Sequence, residues 1–149
     1  YPAIGLVEGT NVSVGRGTAR PFELMGAPWI DADALLASIQ SFGLTGITFG
    51  TAHFTPSSSV HASKACAGLS FKVTDRTLFE PVRTGIALAL SLRKLYKKEW
   101  QAARFHEIIG APAVTKAILG ERPLADIEAL WKDELAAFQS KRQKYLLYP

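Results

Sequence analysis

Residues 8–18 read Glu-Gly-Thr-Asn-Val-Ser-Val-Gly-Arg-Gly-Thr, and they are followed by Pro21-Phe22-Glu23 and by Gly26-Ala27-Pro28-Trp29. This glycine-rich segment, residues 8–18, places a carboxylate, a guanidinium, hydroxyls and an amide among its glycines. Glycine is favoured where the backbone takes a positive φ or lets a ligand come close. The pattern therefore predicts a loop that holds a polar ligand rather than an element that fills a core.

The side chains of the glycine-rich segment suit a sugar better than a nucleotide. Its hydroxyls and its amide both donate and accept, and Arg16 supplies a planar fork of donors. A phosphate-binding loop would end in Gly-Lys-Ser/Thr at the start of a helix, whereas here Ala19-Arg20-Pro21 follows without a helical pattern. The simpler alternative is a turn-rich connection in which Glu8 and Arg16 pair with each other.

The apolar runs around the segment predict a small sheet. Residues 4–7 are typical of a buried strand, so we expect the polar groups to emerge at a sheet edge. A broken strand is expected over residues 46–49 and 53–56, and another over residues 66–73. Asp31 is placed to cap a helix that ends at Gly43. Together with a helical second half, this order predicts an α+β fold with helices on one face of a small, mainly antiparallel sheet.

The second half is expected to be helical throughout. Pro81 fits the first turn of a long helix, a short helix is predicted over residues 112–119, and the last helix is predicted to start near Pro123. The buried stripe of that last helix is expected to contain Ile127, Leu130, Trp131, Leu135 and Phe138. The apolar end, residues 145–148, is expected to dock back on the domain.

Size and charge exclude several classes of protein. A chain of 149 residues, 48% hydrophobic, can bury the core of a single domain. Its net charge of +4 comes mainly from basic residues at 93–98 and 141–144, which are predicted helix ends where cations complement the helix dipole. Since a nucleic-acid site needs a basic face with exposed aromatics, no nucleic-acid partner is expected. The apolar run 86–92 is too short to span a membrane.

The cysteine and the histidines offer no metal site. The lone Cys66 excludes an intrachain disulfide, and its alternating surroundings predict a buried strand residue. No two of the three histidines have the spacing of a zinc site, so we expect no metal. His53 lies at a strand end before the serine turn, residues 57–59, and is a candidate for lining the same cleft as the glycine-rich segment. The alternative is a strand-end histidine with a backbone partner.

The chain resembles a known family. The order Tyr-Pro…Glu-Gly-Thr-Asn-x-Ser-x-Gly-Arg-Gly-Thr-x-x-Pro-Phe-Glu-x-x-Gly-Ala-Pro-Trp-Ile, from Tyr1 to Ile30, is similar to the C-terminal domain of the bacterial exo-β-N-acetylmuramidases of NamZ type, which are peptidoglycan-recycling glycosidases. The likeness continues to residues 145–148. Gly50-Thr51 and residues 60–64 depart from the family pattern of a basic residue with proline and of an aromatic-containing stretch, and both are expected in loops.

The resemblance implies a two-domain enzyme of which residues 1–149 are the single C-terminal domain. Its Rossmann-like N-terminal domain is absent from the chain, and the substrate cleft lies between the two domains. Such enzymes release terminal N-acetylmuramic acid from a muropeptide or disaccharide, and no cofactor is expected. Carried over to this sequence, the resemblance implies that the substrate is faced by Glu8, Thr10, Asn11, Arg16, Gly17 and Thr18, with Glu23 and Trp29 as neighbours.

Glycosidase chemistry limits what this chain can do alone. Two carboxylates normally flank the scissile bond, but only Glu8 lies beside the glycines, so it is the catalytic candidate while the principal acid and base are expected in the N-terminal domain. We expect the isolated chain to be inactive. Arg16 is predicted to bind the lactyl carboxylate of muramic acid.

Two alternatives stay open, a non-catalytic carbohydrate-binding domain and a protein-interaction domain. No signal peptide is visible at Tyr1. A peptidoglycan substrate nevertheless favours a periplasmic or secreted location over a cytoplasmic one.

Overall fold

A three-stranded antiparallel sheet forms the first half of the molecule. The computed structural model describes residues 1–148, in which β1 is Leu24–Ala27, β2 is Ile47–Phe54 and β3 is Cys66–Val73. The strand order is β1-β3-β2, with β3 antiparallel to both neighbours. The predicted α+β fold with a small antiparallel sheet is confirmed.

The described chain has seven helices, of which five lie in the second half. They are α1 (Pro2–Gly5), α2 (Ala32–Gln40), α3 (Pro81–Leu95), α4 (Phe105–Ile109), α5 (Pro112–Leu119), α6 (Leu124–Ala129) and α7 (Lys132–Arg142), followed by a 3-10 turn over Gln143–Tyr145. Asp31 caps α2 as predicted, since its carboxylate accepts the N–H groups of Asp33 and Ala34, both at 3.0 Å. The predicted α5 has the predicted bounds, and Pro81 opens α3.

The core is built from side chains of the sheet, α2 and α3. All residues from 84 to 92 of α3 are buried, and α3 packs against α1, α2 and α5. On the sheet side, α2 packs against β2 and β3, where Leu35, Ile39 and Leu69 are fully buried. This burial on more than one side explains why α3 carries so many apolar positions.

Two titratable side chains, those of Cys66 and Tyr96, are buried in the core. Cys66 is the first residue of β3 and is buried as predicted, and burial raises the pKa of its thiol against a smaller lowering by Lys64. The hydroxyl of Tyr96 accepts the Asp31 N–H at 3.0 Å and donates to the Asp31 carbonyl at 2.9 Å. Burial raises the pKa of Tyr96 as well, so both groups are neutral near pH 7.

Three predictions about the sheet were wrong. Residues 4–7 contribute to α1 and the turn after it instead of a strand, because Pro2 opens a helix whose buried side contains Ala3 and Ile4. The third strand is β1, a short run that the sequence pattern did not reveal. The strand predicted as broken is the continuous β2, in which Gly50 pairs with Ser70, so Gly50-Thr51 lies in a strand and not in a loop.

The prediction of one long last helix was also wrong. The chain forms α6 and α7, separated at Leu130 and Trp131. Leu130, Leu135 and Phe138 are 40%, 44% and 58% exposed. Residues 145–148 do not dock back on the domain, since each is at least half exposed. No helix within residues 1–148 has the length and apolar character needed to cross a membrane.

Candidate functional site

The glycine-rich segment is fastened to the outer edge of β1. Ser13 donates its N–H to the Gly26 carbonyl at 2.8 Å and accepts the Gly26 N–H at 3.0 Å. Val12 and Val14, on either side of Ser13, are 1% and 4% exposed. The middle of the segment is therefore a fixed part of the domain, and its two ends carry the accessible polar groups.

Gly17 holds one end of the segment against the serine turn. Its φ is +79°, and its carbonyl accepts both the N–H and the hydroxyl of Ser57 at 2.9 Å. A Cβ built on Gly17 lies only 2.5 Å from the backbone nitrogen of Ser58. Only glycine fits this position without displacing the turn.

Replacing Gly17 with alanine is expected to destabilise the domain by about 3 kcal/mol or more, because the new methyl group must displace the Ser58 backbone in addition to taking an unfavourable φ. Gly43→Ala is the matched control, since Gly43 has a φ of +61° and no atom within 4 Å of its built Cβ. The control is expected to lose only about 1 kcal/mol. Urea unfolding measures the free energy of unfolding of both variants. Equal losses of stability in the two variants would contradict a tight contact between Gly17 and the serine turn.

Three of the predicted substrate-binding side chains hydrogen-bond within the domain. The hydroxyls of Thr10 and Thr18 each donate at 2.7 Å to the carbonyl three residues earlier. The side-chain amide of Asn11 donates to the carbonyl of Glu99 and accepts the N–H of Gln101, each at 2.8 Å. The Nε2 atom of His61 lies 2.8 Å from the Asn11 carbonyl oxygen. These side chains hold the segment in shape, and their contact with a substrate stays a prediction.

Glu8 and Arg16 form the accessible polar group of the segment. Arg16 donates through Nε to the Glu8 carboxylate at 2.6 Å, with the two side chains 49% and 29% exposed respectively. This is the pairing that the simpler alternative predicted. Within residues 1–148 the hydrogen bond of Arg16 uses Nε alone, which leaves both Nη groups available. A guanidinium held in this way is suited to a carboxylate ligand.

The guanidinium of Arg16 lies over one ring of an aromatic pair. The guanidinium carbon of Arg16 lies 4.8 Å from the ring centroid of Phe22, and the Phe22 ring meets Tyr1 at 4.4 Å between centroids. Phe22 has a φ of +62°, which is rare for a bulky side chain. The backbone N–H of Phe22 donates a hydrogen bond to the Val14 carbonyl at 2.7 Å, which fixes this strained conformation. No pattern in the sequence indicated it, since positive φ is expected at glycine, and strain of this kind often accompanies a functional site.

A cavity adjoins the aromatic pair. Its volume is 490 Å³, and Tyr1 and Phe22 form part of its wall, so the cavity and the ion pair share Phe22. Its polar groups are Glu23, Arg20 and Lys72, of which Glu23 pairs with Arg20 at 3.1 Å. This volume lies in the range of small-molecule sites. Arg20 and Lys72 carried no predicted role, because only the fold brings β3 next to residues 20–23.

The contacts of Trp29 and His53 are with other parts of the domain. The Trp29 ring packs on Tyr96 at 5.3 Å between centroids. His53 is exposed on β2 and lines a separate depression of 370 Å³ with Pro28 and Cys66. The roles of Trp29 and His53 as substrate neighbours stay predictions.

Glu8 and Glu23 are the two acidic residues of the candidate site. Glu8 and Glu23 are each paired with an arginine, and the Glu23 side chain is 61% exposed. The proton donor of a glycosidase is typically a carboxyl group kept protonated by an apolar wall, whereas each of these carboxylates pairs with an arginine. The catalytic role of Glu8 stays a prediction. No cluster of three potential metal ligands occurs within residues 1–148.

Comparison with known proteins agrees with the resemblance noted in the sequence. The family model of the C-terminal domain of the exo-β-N-acetylmuramidase NamZ matches residues 1–148. The peptidoglycan β-N-acetylmuramidase NamZ of Bacillus subtilis strain 168 is 38% identical over 151 residues, which are 99% of this chain and 36% of that protein. The chain therefore spans little more than a third of the relative's length.

Two solved structures share the fold. Both are DUF1343 family proteins from Bacteroides fragilis NCTC 9343. One has a TM-score of 0.89 at 22% identity over 100% of this chain and 41% of its own. The other has a TM-score of 0.62 at 26% identity over 99% and 39%. From the family match over nearly all of its residues, this chain belongs to the family of NamZ exo-β-N-acetylmuramidase C-terminal domains.

Proposed function

We propose that this chain is the second domain of a two-domain exo-β-N-acetylmuramidase, which releases N-acetylmuramic acid from the non-reducing end of peptidoglycan fragments. The ion pair of Glu8 and Arg16 and the adjoining cavity form one wall of the substrate cleft. The preceding domain supplies the other wall and the principal acid and base. One observation carries the proposal: the accessible guanidinium of Arg16 lies over Phe22, and Phe22 forms part of the wall of a cavity of small-molecule size.

The charges at this surface fit an anionic sugar. Muramic acid differs from glucosamine by a lactyl ether that ends in a carboxylate, for which a guanidinium is the natural receptor. Arg16, Arg20 and Lys72 outnumber the carboxylates of Glu8 and Glu23, so the surface has a positive balance. A positive surface attracts an anionic fragment. Because such fragments come from the cell wall, we place the enzyme in the periplasm or outside the cell.

Glu8→Gln in the two-domain enzyme is expected to lower kcat/KM about tenfold, because the charge-assisted hydrogen bond that orients Arg16 is weakened. Glu121→Gln is the matched control: its carboxylate pairs with Lys97 at 2.8 Å and is 36% exposed, but it lies far along the chain from the segment. Steady-state kinetics on a muropeptide disaccharide measure both variants. Equal kcat/KM for Glu8→Gln and the unaltered enzyme would contradict the proposal.

Sugar binding by the isolated chain, taken together with Glu8→Gln, distinguishes the proposal from the two alternatives. A carbohydrate-binding domain without a catalytic part predicts that the isolated chain binds muropeptides measurably by calorimetry, while Glu8→Gln barely affects a partnered hydrolase. A protein-interaction domain predicts that sugars leave the amide chemical shifts of residues 8–18 unchanged. Our proposal predicts weak sugar binding by the isolated chain and a kinetic effect of Glu8→Gln in the whole enzyme.

A further inference from the structure

The loop between β2 and β3 lies against the glycine-rich segment. Strand β2 ends at Phe54 and β3 begins at Cys66, so the two antiparallel strands and the residues between them form a hairpin. We call residues 55–65 the hairpin loop, of which the serine turn, residues 57–59, is an early part. None of its side chains was among the predicted site residues.

The hairpin loop has a strained backbone whose path is fixed by hydrogen bonds. Ser59, His61 and Ser63 have φ values of +70°, +63° and +60°, in the left-handed region that residues other than glycine seldom adopt. The Ser63 N–H donates to the Pro56 carbonyl at 2.8 Å and closes the loop. A strained conformation persists where its surroundings determine it, so the polar groups of this loop have defined directions.

Two residues of the hairpin loop bind the glycine-rich segment. Ser57 donates its N–H and its hydroxyl to the Gly17 carbonyl. Four residues later, the Nε2 atom of His61 lies 2.8 Å from the Asn11 carbonyl oxygen. Because a carbonyl oxygen only accepts hydrogen bonds, Nε2 carries the proton and donates it to this bond. One loop therefore holds the segment at two points.

These two points lie beside the two members of the ion pair. Gly17 follows Arg16 directly, and Asn11 is three residues after Glu8. Since Arg16 donates to the Glu8 carboxylate across the segment, the position of each end affects the orientation of the guanidinium. The serine turn holds the Arg16 end, and His61 holds the Glu8 end.

The hydrogen bond from His61 completes the hydrogen bonding of Asn11. The side-chain amide of Asn11 bonds with Glu99 and Gln101, and its backbone N–H donates to the Gln101 carbonyl at 3.2 Å. The Asn11 carbonyl is the remaining polar group, and His61 is its partner within residues 1–148. Both residues are partly buried, where a carbonyl without a partner is unfavourable. Removal of the imidazole therefore loosens the Glu8 end of the segment.

We propose that His61 is a positioning residue of the sugar-binding wall. Its Nε2–H group holds the Glu8 end of the glycine-rich segment and so sets the orientation in which Arg16 meets the lactyl carboxylate. The inference rests on the proposed function, since it assumes that Arg16 contacts the substrate. Its geometric part does not, because the hydrogen bond to Asn11 forms without a substrate.

Two substitutions separate the hydrogen bond from the rest of the His61 side chain. Glutamine places its side-chain NH₂ group near the position of Nε2, so His61→Gln is expected to keep the donor. Asparagine has one methylene fewer and does not reach that position, but it adopts a left-handed φ readily. His61→Asn therefore removes the donor without adding backbone strain. Ser63→Asn is the matched control, since Ser63 is exposed in the same loop with a φ of +60°.

The kinetic test uses the two-domain enzyme with muramic acid and N-acetylglucosamine disaccharides. His61→Asn is expected to lower the ratio of the two kcat/KM values about threefold to tenfold, the effect of one hydrogen bond. His61→Gln is expected to recover most of the ratio, and Ser63→Asn to leave it unchanged. A loss of folded enzyme lowers both kcat/KM values equally and leaves their ratio unaltered. An unchanged ratio in His61→Asn, beside a large change in Arg16→Ala, would overturn the role of His61 while the proposed function stands.

A double-mutant cycle tests whether His61 acts through Glu8. If it does, adding His61→Asn to Glu8→Gln is expected to lower kcat/KM on the muramic acid substrate by less than about a further twofold. Two effects that multiply as independent factors would overturn the positioning role.

Amide hydrogen exchange in this chain tests the geometry without a substrate. The N–H groups of residues 8, 10 and 11 are hydrogen-bonded at the Glu8 end of the segment. They are expected to exchange about threefold to tenfold faster in His61→Asn than in Ser63→Asn, because one contact of that end is lost. Equal exchange rates in the two variants would overturn the inference. If Arg16→Ala leaves the sugar preference unchanged, the proposed function fails, and the exchange rates alone decide whether His61 holds the segment.

Discussion

The isolated chain is expected to release no measurable N-acetylmuramic acid from a muropeptide disaccharide, while the two-domain protein turns over the same substrate. Glycoside hydrolysis needs a proton donor and a base or nucleophile on opposite sides of the scissile bond. The two acidic residues of the candidate site, Glu8 and Glu23, are both paired with arginine. We propose that the preceding domain supplies the acid and the base, so its removal is expected to cost at least about 10⁴-fold in rate.

A discontinuous assay with chromatographic detection of the released sugar measures this loss. The control is a mixture of the separately produced domains, in which activity is expected to return in part if the preceding domain docks on this one. Turnover by the isolated chain above the rate of a Glu8→Gln variant would contradict the division of labour between the domains. It would place the catalytic carboxylates within residues 1–149.

The elements best predicted from the sequence were those with a local chemical signal. Asp31 identified the start of α2, and the predicted range 112–119 matches the bounds of α5, where Pro112 is the first residue and Gly120 follows the last. Cys66 and its alternating neighbours identified β3. Each of these signals acts through side chains within a few residues, so no knowledge of tertiary contacts was needed.

The elements that were missed depend on distant partners. The short β1 is a strand because its backbone pairs with β3 from Ala67 to Ser70, far along the chain. The continuity of β2 through Gly50 has the same origin, since Ser70 lies opposite. In residues 4–7 an apolar run fits a strand or a buried helix equally well, and the packing of α1 on α3 decided between them.

The structure shows which of the predicted site residues lie together, while their contact with a substrate stays a prediction. Glu8 and Arg16 were identified by their place among the glycines, and they are the accessible pair. Thr10 and Asn11 were selected for their hydrogen-bonding groups, which the structure uses for its own backbone. Phe22 under the guanidinium and Lys72 at the cavity come from the fold, since one needs a positive φ and the other the proximity of β3.

Arg16→Ala in the two-domain enzyme is expected to remove most of the preference for muramic acid over N-acetylglucosamine at the non-reducing end. The two sugars differ by the lactyl ether and its carboxylate. A hydrogen bond to a charged group contributes about 1.5–3 kcal/mol, so losing it should lower the ratio of kcat/KM values about tenfold to a hundredfold. Activity on the glucosamine substrate is expected to change much less, because that substrate offers no carboxylate to Arg16.

Arg122→Ala controls for the loss of an exposed cation. Its side chain is 50% exposed, against 49% for Arg16, and it pairs with Asp126 at 3.6 Å near the start of α6. Arg16→Lys is a second comparison, since lysine keeps the charge but loses the planar fork, and it is expected to restore the preference only in part.

The most direct measurement is therefore the ratio of kcat/KM for matched muramic acid and N-acetylglucosamine disaccharides, determined for the two-domain enzyme and for its Arg16→Ala variant. If Glu8 and Arg16 form a wall of the sugar cleft, the ratio falls at least about tenfold in the variant, because a charge-assisted contact is lost. An unchanged ratio, with both substrates affected equally or not at all, would contradict the assignment of Glu8 and Arg16 to the sugar cleft.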